Sequence, residues 1–513
     1  MASILHKELR SRRSVSGALG KQLLDVITSG MYSDPRMAIR EYLQNAADSI
    51  DIAQRQGVYE SEMPLIQITL DGRERIITVE DNGVGIGEED IDDRLGSVGC
   101  STKIGAGQRG FRGIGRLGGL AYCDILRFET RRTAHEPVNV VEWSGHALRD
   151  QVNYASSREQ LADAVRRIAI IDTRQAKKSV DPERFFRVQM INVHRFHSDL
   201  LMNVKGLREY LSQTAPVGYG GFHFAEKIKH HLADVPGYRA YNIILNSAGI
   251  FRPYCVDFEA RENKMDHIQS VELVECTSKQ GHLLCRGWFA NTGFLAALPQ
   301  NEVMRGIRIR QGNIEIGDEY QLKDLFSESR FATWHIGELQ VTPLLKLNAR
   351  RDGFEASAEY EEFLEWASLL CRRLSGLCRQ SSKIRSDKQN VDRLVNELER
   401  KLSIPFFIDQ EHMKYIVMNV ELGLGRLSGI LRNSGENRQQ VIDEFMRRLA
   451  KIKESPVFLR SILDGRALRW KDNRQLIIDL CLRIISFHYE NNDSEFLQYI
   501  VEPYLRGKKG LRR

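Results

Sequence analysis

The stretch RMAIREYLQNAADSIDIA, Arg36–Ala53, decides how this chain folds and where its chemistry lies. Apolar residues recur there every three or four positions, which predicts a helix from Asp34 or Pro35 to about Gln56. One face of this helix carries Glu41, Asn45 and Asp48, and the opposite side is apolar enough to pack against a sheet. The apolar residues on that side are Ile39, Leu43, Ala46, Ala47 and Ile50. Taken alone, the polar stripe is also typical of an ordinary surface helix.

A predicted β-hairpin follows this helix along the chain. Residues 66–70 and 76–79 alternate apolar with polar side chains, and Asp71-Gly72 supplies the turn between them. The second strand ends at Glu80 and is followed by DNGVGI, Asp81–Ile86. A carboxylate at a strand end can accept a hydrogen bond from an exocyclic amine, and the glycines permit close backbone approach. By itself, DNG is a common structural turn.

A glycine loop is the third feature. Gly110, Gly113 and Gly115 in GFRGIGRLGG precede the apolar run Leu117–Ala121, as in a loop that enters a helix. Backbone N–H groups in such a loop can bind phosphate oxygens. No βαβ unit with an acidic ribose ligand surrounds the loop, and no GK[ST] follows it. The dinucleotide-binding and Walker motifs are therefore excluded.

The order of these three features resembles the nucleotide-binding motifs of the Bergerat (GHKL) ATPase superfamily, which includes HtpG-type heat-shock chaperones, MutL, gyrase B and sensor histidine kinases. Residues 29–50, SGMYSDPRMAIREYLQNAADSI, and residues 77–105, ITVEDNGVGIGEEDIDDRLGSVGCSTKIG, look most like the HtpG-type chaperones. The glycine loop is more similar to the GFRG loop of MutL. The resemblance implies an ATPase that uses ATP and Mg²⁺.

The resemblance also implies a role for each motif residue. Glu41 would orient and activate the attacking water, Asn45 would hold Mg²⁺, and Asp81 would read the adenine amino group. Residues 95–110 would form a lid over ATP, with Lys103 either at the phosphates or simply solvated. The implied ATP-binding residues are Asn45, Asp48, Asp81, Gly83, Gly85, Ile86, Lys103, Gly110, Gly113 and Gly115.

Two further segments are compared with the superfamily. LLKLNARRDGF, residues 344–354, resembles the chaperone middle-domain segment that brings an arginine to the γ-phosphate. Arg351 is the best match and Arg350 the second, although a basic turn before a helix explains the same residues. RFFRVQMINV, residues 184–193, stands where the superfamily usually has a Gly-Thr pair that completes the adenine pocket. No threonine is present there, so base affinity or selectivity is expected to differ.

Length and composition indicate a multidomain, folded chain. Its 513 residues contain 42% hydrophobic and 28% charged residues, and 74 basic against 68 acidic residues give a net charge of +6. The eight cysteines show no CxxC pair, which favours reduced thiols. With neither a signal peptide nor about 18 consecutive apolar residues, the chain is expected to be cytoplasmic, with no membrane contact.

The predicted fold class is α+β, with three domains. A Bergerat-type α/β sandwich, a mixed sheet covered by helices, is expected over residues 1–195. An α+β middle domain would span 196–380, and a helical domain over 381–513 would dimerise the chain. Within the first domain, residues 17–28 are predicted to be helical, and residues 156–180 helical and then polar, before a strand at 186–193.

Two functions are compatible with these features. The first is a chaperone-like conformational clamp, a homodimer that hydrolyses ATP and acts on a client protein or an operon-encoded partner. The second is a nucleic-acid-linked ATPase like MutL or the MORC family, for example in bacterial antiphage defence. The MutL-like loop and the basic tail at 506–513 favour the second function. A histidine kinase is not expected, because the region before Glu41 is too short for a helical dimerisation unit with a phospho-acceptor histidine. A type II topoisomerase is not expected either, because no catalytic tyrosine domain is recognised in the sequence.

Overall fold

The computed structural model describes residues 34–59, 62–96, 115–154, 168–177, 181–195, 198–348 and 351–402, with positions 422 and 426. The chain divides into two compact units, Met1–Ser375 and Gly376–Arg513. The described helices are α1 (Arg36–Arg55), α2 (Gly145–Tyr154), α3 (Val204–Thr214), α4 (Ala225–Leu232) and α5 (Ala358–Leu402). Shorter helical turns span Glu88–Asp90, Asp92–Gly96, Gly115–Tyr122, Lys323–Leu325 and Ser329–Trp334.

An eight-stranded mixed sheet forms the N-terminal part of the first unit, with strand order β5-β4-β3-β6-β2-β1-β7-β8. Neighbouring strands are antiparallel except for β1 and β7, which are parallel. The strands are β1 (Ile66–Asp71), β2 (Ile76–Asp81), β3 (Cys123–Arg131), β4 (Val138–Ser144), β5 (Ala169–Arg174), β6 (Phe185–Val193), β7 (Ile243–Leu245) and β8 (Ala248–Gly249). A mixed sheet with covering helices confirms the predicted α+β class for this part of the chain.

Helix α1 packs on one face of this sheet through the apolar side that its sequence predicts. Ile39, Leu43 and Ile50 are fully buried in a single core with the strand residues Val79, Val188 and Phe128. The strands alternate as expected, because β1 buries every second residue. Burying apolar side chains stabilises the packing by about 25 cal/mol per Å² of buried surface, so the helix and the sheet hold each other in place.

A five-stranded sheet of order β11-β12-β15-β13-β14 lies later in the same unit, beside the hairpin β9-β10. The strands of the hairpin are β9 (Asp257–Arg261) and β10 (Lys264–His267). Those of the sheet are β11 (Ser270–Thr277), β12 (Leu283–Asn291), β13 (Gly306–Gln311), β14 (Ile314–Glu315) and β15 (Ile336–Val341). Its buried centre is charged: the carboxylate of Glu338 lies 3.2 Å from Nε of Arg252 and 2.9 Å from Nε of Arg310. Tyr219 and Tyr254 donate hydrogen bonds to the same carboxylate, at 2.5 and 2.9 Å.

Two elements differ from the sequence-based expectations. Residues 156–180 were expected to be helical and then polar, yet β5 (Ala169–Arg174) is an edge strand of the first sheet. Strand β7 lies beyond residue 195, but it pairs with β1 and so belongs to the first sheet. The domain boundaries at 195 and 380 remain predictions. The helix expected at 17–28 and most of the helical domain expected from 381 fall outside the described residues.

The described residues contain neither a disulfide bond nor a membrane-spanning helix. Its six cysteines, Cys123, Cys255, Cys276, Cys285, Cys371 and Cys378, carry free thiols. Within the same residues, no helix combines the length and the apolar character needed to cross a bilayer.

Candidate functional site

Glu41 lies on the part of α1 that faces the glycine-rich helical turn Gly115–Tyr122. Its side chain is 13% exposed, and one carboxylate oxygen lies 3.8 Å from Nη2 of Arg40. Arg40 is itself buried, and its Nε and Nη2 have no hydrogen-bond partner among the residues that the structure describes. The carboxylate of Glu41 is therefore held in a restricted, partly dehydrated position beside a positive charge.

Gly115 brings the end of the glycine loop against Glu41. A Cβ atom added to Gly115 would lie 2.7 Å from Oε2 of Glu41, which is closer than ordinary van der Waals contact. The same turn is fixed to α1 farther along, where the N–H of Gly119 donates to the hydroxyl of Tyr42 at 3.0 Å. The first and third sequence motifs thus meet, and the absence of a side chain at Gly115 lets them approach.

Asp81 occupies the end of β2 and is bonded to the turn that follows it. Its side chain is buried and accepts hydrogen bonds from the N–H of Gly83, at 2.9 Å, and from the hydroxyl of Ser49. Burial raises the pKa of Asp81 to about 7, although both hydrogen bonds favour the ionised form. A buried carboxylate of this kind can accept a hydrogen bond from a ligand amine.

Ser49 joins the first motif to the second. Its hydroxyl accepts a hydrogen bond from the N–H of Val84 at 3.1 Å, in addition to bonding Asp81. A Cβ atom on Gly83 would lie 2.0 Å from this hydroxyl and 2.7 Å from the backbone carbon of Ser49. Sequence reasoning missed Ser49, although it directly follows Asp48 on the helix.

Gly85 and Ile86 lie against the end of β3. Gly85 has a φ of +62°, and a Cβ there would lie 2.2 Å from the carbonyl oxygen of Arg131, so both the conformation and the space require glycine. The N–H of Ile86 donates to the hydroxyl of Thr130 at 2.9 Å. Thr130 is thus a second site residue that the sequence patterns did not reveal.

The outer side of the DNGVGI turn is braced by an arginine and a tyrosine. Nε of Arg184 donates to the carbonyl oxygens of Asn82, at 3.2 Å, and Gly83, at 2.7 Å. The hydroxyl of Tyr59 donates to the Asn82 carbonyl at 3.1 Å. The Asn82 side chain in turn accepts from the N–H of Leu65 at 2.9 Å. The turn is therefore fixed on both sides, which pre-organises Asp81.

The remaining predicted site residues have different outcomes. Asn45 is partly buried and Asp48 is buried on α1, one and two turns after Glu41. Arg351 lies in a left-handed turn with φ of +59°, where its N–H donates to the carbonyl of Asn348 at 3.1 Å. This contact is local, so an approach of Arg351 to Glu41 remains a proposal. Lys103, Gly110, Gly113, Arg350 and the lid residues 97–110 lie outside the described residues.

Strand β6 (Phe185–Val193) carries no threonine, as its sequence indicates. Phe186 pairs with Asp81 on one neighbouring strand and with Thr130 on the other. A phenyl ring therefore stands next to the Asp81 carboxylate in the row of side chains at this end of the sheet. The threonine of this row comes from β3 instead.

Comparison with known proteins identifies the same part of the chain. Residues 32–173 match the family described as histidine kinase-, DNA gyrase B-, and HSP90-like ATPase. The chain is 29% identical over 140 residues to the chaperone protein HtpG of Acinetobacter baylyi, covering 24% of this chain and 22% of that protein. It is 30% identical over 158 residues to the chaperone protein HtpG of Burkholderia ambifaria, covering 27% and 25% of the two chains.

These matches cover only part of each protein. The similarity spans about a quarter of the length of the curated relatives. The family match at residues 32–173 includes the helix, the strand end and the glycine-rich turn that meet in the structure. Residues 32–173 therefore belong to the histidine kinase-, DNA gyrase B- and HSP90-like ATPase family.

Proposed function

We propose that this protein binds and hydrolyses ATP and uses the cycle to drive a chaperone-like conformational clamp. The observation that carries the proposal is the meeting of three motifs on one helix. Glu41 of α1 lies against Gly115, and Ser49 of the same helix bonds Asp81. Phosphoryl transfer depends mainly on positioning. This site positions an acid, a buried carboxylate that recognises the base, and a glycine-rich turn.

The base end of the site is built around Asp81. Its carboxylate accepts a hydrogen bond from the exocyclic amine of adenine. Gly83 and Gly85 carry no side chain that would keep the base away from this carboxylate. Ile86 supplies an apolar surface, because its side chain is partly exposed and packs on the core beside this turn. A mostly apolar pocket with one fixed polar group is typical of nucleotide sites.

The phosphate end lies toward Glu41 and Gly115. Gly110, Gly113 and Gly115 bind the phosphates through backbone N–H groups, with Lys103 of the lid beside them. Asn45 contributes an amide oxygen to Mg²⁺, which fits an ion that usually takes only one or two protein ligands. Asn45 suits this role because it is partly exposed and lies one turn from Glu41. When bound, Mg²⁺ neutralises phosphate charge.

Hydrolysis depends on Glu41 and on an arginine. The Glu41 carboxylate orients the attacking water and accepts its proton, while Asp48 supports the pocket from within the helix. Arg351 neutralises the charge that develops on the γ-phosphate. Closing the lid at residues 95–110 completes the site and brings the middle domain toward it, in a homodimer that acts on a client or partner protein.

A second candidate function is a nucleic-acid-linked ATPase. The GFRG loop at Gly110–Gly113 and the basic tail at 506–513 favour it. Phosphate contacts would make DNA binding fall steeply with salt, whereas a protein chaperone shows no such dependence. DNA binding by the ATP-bound protein at 50 and 200 mM salt separates the two functions.

The direct test of ATPase function is turnover by the wild type and by Glu41→Ala. We expect turnover to fall by about 100-fold or more, as for loss of a general base, while ATP binding persists. Glu74→Ala is the matched control, because Glu74 is exposed in the β1–β2 turn. Equal turnover by wild type and Glu41→Ala would remove Glu41 from the reaction.

A further inference from the structure

A row of side chains crosses three strands of the first sheet at the end where Asp81 lies. Asp81 on β2 is the register partner of Phe186 on β6, and Phe186 is the partner of Thr130 on β3. Directly opposed residues on adjacent strands point to the same face of the sheet, and their Cβ atoms lie about 5 Å apart. The adjacent row of Val79, Val188 and Phe128 is buried in the core beneath α1, so Phe186 is on the helix-covered face.

The polar groups of this row are unequally available to a ligand. Thr130 is fully buried, and its hydroxyl donates to the carbonyl of Phe185 at 3.1 Å while it accepts from Ile86 at 2.9 Å. Its one donor is therefore committed to the protein backbone. Asp81 accepts two hydrogen bonds, which leaves further acceptor capacity on its carboxylate.

The apolar side chains next to Asp81 are only partly buried. Phe186 and Ile86 both pack on the first core while keeping part of their surface exposed. The Phe186 ring is supported from below by Phe128, with centroids 6.1 Å apart and planes at 35°. A supported, partly exposed ring beside a buried carboxylate can cover the face or edge of a flat base.

We propose, resting on the proposed ATP-binding function, that Phe186 is a base-binding residue that supplies affinity without base preference, and that Asp81 supplies the preference for a 6-amino purine. Contact with a phenyl ring depends on apolar area, which adenine and hypoxanthine share. The carboxylate meets a donor in adenine but an oxygen acceptor in hypoxanthine. Affinity and selectivity therefore reside in two adjacent residues of the row.

The experiment measures ATP and ITP displacing a fluorescent ATP analogue from the full chain with Mg²⁺ present. At pH 8, where Asp81 with its pKa of about 7 is mostly ionised, the wild type should favour ATP by about 10-fold or more, as expected for a hydrogen bond to a charged group. Phe186→Ala should weaken ATP and ITP alike, by about 10-fold, because the apolar contact is lost. Phe186→Leu, which keeps apolar volume, should weaken both by less.

Phe185→Leu is the matched control. Phe185 directly precedes Phe186 on β6, so its side chain points to the opposite face of the sheet. The Phe185→Leu substitution should therefore leave both affinities unchanged. Circular dichroism of each variant verifies the fold, and Phe186→Leu keeps the test informative if Phe186→Ala does not fold. Two results overturn the role of Phe186 without affecting the proposed ATP-binding function. One is unchanged affinities in folded Phe186 variants, and the other is a change of the ATP-to-ITP ratio beyond about 5-fold. A wild type that binds no nucleotide overturns the proposed function as well.

Discussion

Gly115 and Glu41 are in direct apposition: a methyl group on Gly115 would lie 2.7 Å from Oε2 of the Glu41 carboxylate. These residues are 74 positions apart in the sequence. The helix and the glycine-rich turn therefore converge at the carboxylate on which hydrolysis is proposed to depend, and this convergence leads to the first prediction.

Gly115→Ala should slow ATP hydrolysis with little effect on nucleotide affinity. The added methyl displaces the end of the flexible Glu41 side chain rather than a backbone atom, so the fold should persist. A displacement of about 1 Å at a catalytic group costs about 100-fold in rate. Turnover and affinity are measured together, with Gly221→Ala as a control at an open position. Unchanged turnover in Gly115→Ala contradicts the proposed position of Glu41.

Gly83→Ala should abolish nucleotide binding and destabilise the fold. Its methyl would collide with the backbone carbon of Ser49 at 2.7 Å as well as with the hydroxyl, so the turn must move. Overpacking of this kind costs about 1–3 kcal/mol of stability. Gly72→Ala is the control, because no atom of the described part of the chain lies within 4 Å of its added methyl. Urea unfolding and nucleotide titration of both variants check the prediction, which a fully active Gly83→Ala would refute.

The Asp81 carboxyl should contribute a loss of stability to the nucleotide-free protein as pH rises from about 4 to 7. Burial raises the pKa of Asp81 from 3.8 to about 7, so the folded state keeps a proton that the unfolded state releases in this interval. The loss is complete above pH 7 and is on the order of 4 kcal/mol for a shift of this size.

Asp81→Asn should remove this contribution. The free energy of unfolding in urea is measured at pH 5 and pH 8. Its value at pH 8 relative to pH 5 should be higher in Asp81→Asn than in the wild type. Other titrating groups contribute equally to both proteins and cancel in the comparison. An identical pH dependence in the two proteins would show that Asp81 is ionised throughout.

Glu338→Gln should destabilise the first unit by about 3 kcal/mol or more, because it leaves two buried guanidinium groups without a counter-charge. Burial alone would raise the pKa of Glu338, but Arg310 and Arg252, together with two tyrosine hydroxyls, hold it below the usual value. Glu275→Gln is the control, since Glu275 is paired with Arg286 at an exposed position and should cost less than about 1 kcal/mol. Equal losses in the two variants, measured by chemical unfolding, contradict this role of Glu338.

Local patterns predicted the elements that carry the motifs. The three-to-four spacing of α1 and the alternation of β1 and β2 are properties of neighbouring residues, so the helix, the hairpin and the position of Asp81 followed from sequence. β5 was missed because its exposed edge sequence AIIDTR has no clear alternation. The place of β7 in the first sheet did not follow from sequence, because its pairing with β1 depends on residues about 180 positions away.

The supporting residues of the site were missed for the same reason. Ser49 bonds Val84 across 35 positions, and Arg184 bonds Gly83 across 101. Serine and arginine are common on helices and strands, so nothing local marks these two. Phe186 is different, because the absence of a threonine from residues 184–193 was visible in the sequence and only its place beside Asp81 required the structure.

Calorimetric titration of the full chain with a non-hydrolysable ATP analogue and Mg²⁺ determines whether the three motifs form a nucleotide site. If α1, the DNGVGI turn and the glycine loop form one site, the wild type should bind one nucleotide per chain with saturable heat. Gly83→Ala should show none, and Gly72→Ala should behave as the wild type. Folded wild-type protein that gives no saturable heat would contradict the account.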